Sequence, residues 1–296
     1  MDKGVVKMAK SPAHRFGQLI GNLLESTLIR YCGPIAAEYG MYLDYRHPRA
    51  ARNNKNEVKW TDINGNTHKL DIVIECDGSE TECGSPRAFI EMAWRRYTKH
   101  SKNKAQEISA AIKPLISRYS ETAPFYGAVL AGEFTESSLN QMRSEGFRLL
   151  YFSIEAIENA FASQGVHSHW DEDTSEEELQ SKIEQMEALS KEQLQLIGDS
   201  LILHSEEQWL DFQQCLRNAL ERMIESILIT SLFGVSKKFS NIQDACNYIV
   251  SDEKVSSFTK DTFYGYKIIV TYSNGDKIDM EFKEQQHALT RLRQLI

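Results

Sequence analysis

Two acidic residues stand in otherwise apolar runs of this 296-residue chain. Asp71 lies in Leu70-Asp71-Ile72-Val73-Ile74-Glu75, and Glu91 in Ala88-Phe89-Ile90-Glu91-Met92-Ala93. Runs of this length and composition read as strands, and the Gly- and Pro-containing stretch 77–86 between them reads as a loop. If the strands pair, both carboxylates reach one end of the same sheet. With a backbone carbonyl they form a hard oxygen site suited to Mg²⁺ or Mn²⁺. An ion held there lowers the pKa of bound water and offsets charge building on a phosphodiester. A nearby lysine orients the attacking water and adds positive charge. The plain alternative for each acid, taken alone, is a strand-end, capping or ion-paired role.

The elements that must position these acids follow from hydrophobic periodicity. Leu19, Ile20, Leu23, Leu24, Leu28 and Ile35 recur at helical spacing, which predicts a helix over 16–39, interrupted at Gly33-Pro34. Glu25 sits within that pattern, at the edge of the core. Residues 41–45 read as a short strand. The stretch 46–59 is polar and basic and reads as an exposed loop over a ligand. Asn64-Gly65-Asn66 joins two extended runs as a hairpin. A helix over 101–119 turns Ala105, Ile108, Ile112 and Leu115 inward. Strands over 125–134 and 148–154 then alternate with helices over 137–145 and 155–161. This succession predicts an α/β fold with a mixed sheet flanked by helices. Residues 174–233 read as helices, the second carrying an apolar stripe from Trp209 to Leu228. The last sixty residues read as a small β-hairpin and a helix. The expected domains are 1–165, a helical segment 166–235, and a ββα unit 236–296.

The net charge of −8 is unevenly spread. Residues 86–118 carry eight Lys or Arg against Glu91 and Glu107, whereas 171–187 carry eight acids against Lys182. The first region attracts phosphate, with an affinity that falls steeply with salt; the second faces away from it. Arg95, Arg96, Lys99, Lys102, Arg49 and Arg52 are the expected nucleic-acid contacts. Trp94 and Tyr97 either stack on bases or pack in the core. Glu75 and Asp77, just past a strand, read as solvated. No apolar run reaches membrane-spanning length. Five scattered cysteines, an odd number, fit a reducing cytoplasm better than a disulfide framework.

The arrangement of Asp71 and then Glu91-Met92-Ala93, on a hairpin followed by a helix, resembles the signature of the PD-(D/E)XK, or restriction-endonuclease-like, nucleases. Leu70-Asp71 stands where Pro-Asp is expected. Ala93 stands where the lysine is expected and cannot replace it. In this superfamily the lysine sometimes moves to the next helix. There Lys104 shares the inner stripe and points back over the first turn; Lys102 and then Arg95 follow as candidates. Gly127–Phe134 and Gly146–Ser153 look like later strands of that fold, so the resemblance spans roughly residues 16–162. It implies a Mg²⁺-dependent (or Mn²⁺-dependent) endonuclease acting on double-stranded DNA in prokaryotic restriction or anti-phage defence. Asp71 and Glu91 would hold the metal with Glu25 beside them, and Gln106 is a weaker candidate. A homodimer and a partner protein of a defence system are further expectations. The missing lysine supports a second reading: a degenerate nuclease fold that binds nucleic acid or a protein without cutting.

Overall fold

The computed structural model describes residues 11–98, 101–122, 124–221, 224–231, 235–251, 265–273 and 275–295. Ile72, Val73 and Ile74 are consecutive and all fully buried. A strand buried on alternate residues in both directions is covered on both faces. It belongs to a five-stranded sheet in the order β1 (Tyr42–Tyr45), β4 (Ile72–Cys76), β5 (Ser85–Arg95), β6 (Phe125–Gly132), β7 (Arg148–Ser153). The first three strands are antiparallel neighbours, and β5, β6 and β7 run parallel. The expected mixed sheet flanked by helices is therefore present. The hairpin at Asn64-Gly65 is β2 (Val58–Thr61) with β3 (Thr67–Leu70), and Gly65 takes the positive φ that the turn requires.

One face of the sheet packs against α1 (Pro12–Glu38), with α4 (Ile154–Ala162), α5 (Glu176–Glu187), α6 (Lys191–His204) and α7 (Glu206–Glu221) completing that layer. The other face packs against α2 (Ser101–Arg118), α3 (Glu136–Ser144) and the β2–β3 hairpin. Helix α1 begins at Ser11, whose hydroxyl accepts from the His14 N–H, with Pro12 in the first turn. It does not stop at Gly33-Pro34. Proline inside a helix costs about 3 kcal/mol, but Cys32, Ile35 and Ala36 on either side are buried in the core. Three buried side chains outweigh one lost hydrogen bond.

The helices after residue 166 share the core of the first sheet, so they are no separate segment. The chain divides into two compact units, Met1–Leu220 and Glu221–Ile296, in place of boundaries at 165 and 235. The stripe expected to continue helically to Leu228 ends with α7. Residues Ile224–Ser231 form strand β8, whose Ile227 and Ile229 are buried with period two. Isoleucine-rich alternation wins there over helical spacing. The second unit continues with β9 (Ser236–Phe239), α8 (Ile242–Ser251), β10 (Tyr266–Tyr272), β11 (Lys277–Phe282) and α9 (Gln285–Arg293). Its antiparallel sheet has the order β11-β10-β8-β9, so the expected hairpin-plus-helix occurs twice in succession.

Candidate metal centre

The register of three strands sets the site. Tyr45 pairs with Ile72, and Ile72 with Ile90. One residue beyond these pairs along the chain lie Arg46, Asp71 and Glu91. All three therefore gather at one end of β1, β4 and β5. β3 and β4 break at Asp71, which frees this residue from ladder pairing.

The two acids brace one another through the backbone. The Asp71 N–H donates to Glu91 Oε1 at 3.3 Å, and the Met92 N–H donates to Asp71 Oδ2 at 2.7 Å. Asp71 Oδ1 and Glu91 Oε2 accept no hydrogen bond from the described residues. Burial pushes the Glu91 carboxyl well above its ordinary pKa, and the charge on Asp71 pushes it further. Burial likewise raises Asp71. The Lys104 ammonium opposes both shifts, so its field reaches the pair. Two sequestered acids that resist joint ionisation form a seat for positive charge.

Helix α2 supplies that ammonium from the first turn, as its inner-stripe position predicts. Lys104 is mostly buried and pairs with Glu107 at 2.7 Å. Lys102 and Gln106 lie on the exposed side of the helix. The Arg95 side chain turns back to the carbonyl of Trp94 at 2.8 Å. Ala93 sits in the core beside α2 and cannot itself supply the charge.

Glu25 comes from α1, on the other side of the strand ends. Burial raises its carboxyl pKa first, then the charge on Asp71, while Arg46 lowers it. It lines a cavity of about 480 Å³ together with Asp71, Arg46, Gln18, Asn22 and Trp94. Among the described residues, no three His, Cys, Asp or Glu side chains close into a ready metal cage. Glu25 therefore borders the carboxylate pair without completing a ligand triad.

Several expected nucleic-acid contacts are engaged elsewhere. Arg49 is fully buried, bidentate to Glu75 at 2.8 and 3.0 Å and paired with Asp44 at 2.8 Å. Arg52 meets the same Asp44 at 2.8 Å. These two arginines clamp the loops at the far end of β4, and Glu75 is buried with them, not solvated. The polar stretch 46–59 hides this network because arginine spacing does not reveal a buried partner 26 positions away. Arg96 lies over the Trp170 ring and donates to the Trp170 carbonyl. Arg87 and Arg118 also donate to carbonyls, and Lys113 pairs with Glu145. The basic excess over 86–118 is largely consumed within the unit and does not form one open face. Lys99 lies outside the described residues.

Arg46, Gln18, Asn22 and Glu107 were not singled out by motif. A signal for two of them exists in the chain. Arg15, Gln18, Asn22 and Glu25 recur at intervals of three and four, a polar stripe on an otherwise buried helix.

No known protein family and no curated protein matches this chain. A crystal structure of a protein of unknown function, AF1548, is similar over 61% of this chain and 97% of its own, at 14% identity and a TM-score of 0.29. A likeness that slight bears on neither fold nor function. The site therefore rests on its own geometry.

Proposed function

We propose that this chain is a metal-dependent nuclease with a restriction-endonuclease-like core, hydrolysing phosphodiester bonds of DNA. The observation that carries this reading is the half-buried Asp71–Glu91 pair, each acid with one uncommitted oxygen, beside the Lys104 ammonium. The donors are carboxylate oxygens without thiol or imidazole, which fits Mg²⁺ or Mn²⁺ better than zinc. Asp71 and Glu91 would hold the ion, which would supply Lewis-acid charge and an activated water. The protein's own groups do the rest. Asp71 and Glu91 hold their carboxylates rigidly through the backbone braces. Lys104 orients the attacking water and balances charge as the phosphorane-like state develops. Arg46 offers a guanidinium to a phosphate oxygen at the same sheet edge. Prokaryotic restriction or phage defence, a homodimer and a defence partner belong to this reading through the resemblance alone. Mass in solution, with and without DNA, tests the dimer.

Purified protein incubated with labelled DNA and Mg²⁺ or Mn²⁺ should cut, and should stop with EDTA. Asp71→Asn and Glu91→Gln should abolish cleavage while leaving DNA binding intact. Lys104→Ala should lower the rate about 10²–10³-fold, the usual cost of a charge-stabilising donor. Full metal-dependent cutting by both acid variants would refute the site.

A second reading is a binding module that does not cut. Ala93 at the lysine position and the Lys104–Glu107 ion pair favour it. Binding of DNA without cleavage under any metal separates it from the first.

A further inference from the structure

We propose that the cavity between α1 and the strand ends is a slot for one unpaired nucleotide, so the strand presented to Asp71 and Glu91 is single-stranded DNA. The inference deepens the nuclease reading and rests on it for what happens to the strand, but not for the binding itself.

The lining mixes two kinds of group. Arg46 makes no ion pair among the described residues and lines the cavity with Asp71, suited to a phosphate. Arg15, already paired with Glu187 at 2.5 Å, borders the other end. Gln18 and Asn22 offer amides, and Trp94 offers an indole. Amides read base edges and an indole stacks on a base face. The amides also suit a phosphate oxygen, whereas the half-buried Trp94 ring suits a base. In a duplex the base faces are stacked inward, so an indole in a recessed cavity favours an unstacked base. The volume of about 480 Å³ suits a single small-molecule-sized unit, not a paired one.

Gly21 supports the same conclusion. It lies in the middle of the polar stripe of α1, on the cavity wall, and a Cβ built there meets nothing within 4 Å. Glycine disfavours a helix interior relative to alanine, and the backbone here needs no positive φ. The residue leaves open volume where any side chain would project into the slot.

The test uses the full-length protein, a fluorescein-labelled 12-nucleotide single strand and the blunt duplex of the same sequence. Binding is read by anisotropy in EDTA, and cleavage in Mn²⁺. The single strand should bind at least about tenfold more tightly than the duplex, in line with the worth of one stacked base. Gly21→Met, which fills the slot, should weaken single-strand binding about tenfold with a melting temperature no lower than the parent's. Should Gly21→Met fail to fold, the double variant Gln18→Ala/Asn22→Ala should show the same loss. Equal affinity for both forms, binding of neither, or folded variants that bind like the parent would overturn the proposal. If both forms are cut and the slot variants cut normally, this proposal fails while the nuclease reading stands. If single strands bind in the slot and nothing is cut, the nuclease reading fails while this one stands.

Discussion

Asp71 and Glu91 are built at the expense of stability. Each carboxyl sits above its ordinary pKa, chiefly through burial, and Glu91 also through the charge on Asp71. A raised folded pKa means that the stabilising contribution is fully present below the unfolded value and is lost as pH rises through the folded one. For Glu91 the unfolded value is the ordinary 4.5. Metal-free protein should therefore lose stability as pH climbs above that value, and added Mg²⁺ should restore more at pH 8 than at pH 5. Glu91→Gln keeps an oxygen for the Asp71 N–H but removes the charge. Its metal-free melting temperature at pH 8 should exceed the parent's by about 2–6 °C, converging near pH 4.5, which calorimetry can read. A variant that melts lower at pH 8 would show that the pair is not under strain. Motif spacing singled out both acids because apolar runs rarely carry a carboxylate. It did not reveal Arg46, which lines the same cavity as Asp71, nor the Glu107 partner of Lys104.

Among elements, the Arg49 clamp shows how charge is used away from the site. Asp44, Glu75 and Arg49 are all buried, and Glu75 also accepts from the Gly84 N–H at 2.7 Å. The guanidinium further donates to the carbonyls of Ser79 and Glu82. The clamp thus ties β1 and β4 to the loop that precedes β5, the strand bearing Glu91. Removing one partner of a buried ion network strands the others, at about 3–5 kcal/mol. Arg49→Ala should lower the urea midpoint accordingly, and Arg49→Lys should recover little because an ammonium cannot span both carboxylates. An Arg49→Ala variant as stable as the parent would mean that water replaces the clamp. Gly132 gives a sharper backbone case. It holds φ +94°, and a Cβ there would strike the Arg95 carbonyl at the end of β5. The continuity of α1 through Pro34 belongs to this scale too, since sequence rules price the proline but not the burial around it.

For the molecule as a whole, charge distribution would govern how a nucleic acid is met on the proposed reading. The net charge is −8, and most cations of 86–118 are spent on internal carbonyls and acids. Among the described residues of this region, Arg46 and Lys102 make no ion pair. The affinity for single-stranded DNA should fall with salt at a log–log slope of about −1.4, roughly 0.7 for each of two phosphates contacted. A slope near −5 would mean an extended basic groove. What the chain determined by itself is the alternation of strands and helices, the two acids and the helix-borne lysine, because hydrophobic period and residue type are local properties. The three-dimensional packing alone decided that Arg49 and Arg52 are buried, that the helices after residue 166 join the first core, and that 224–231 is a strand. Each depends on what lies across a strand or on the other side of a core, and such partners are set by burial over long sequence separations rather than by any neighbour in the chain.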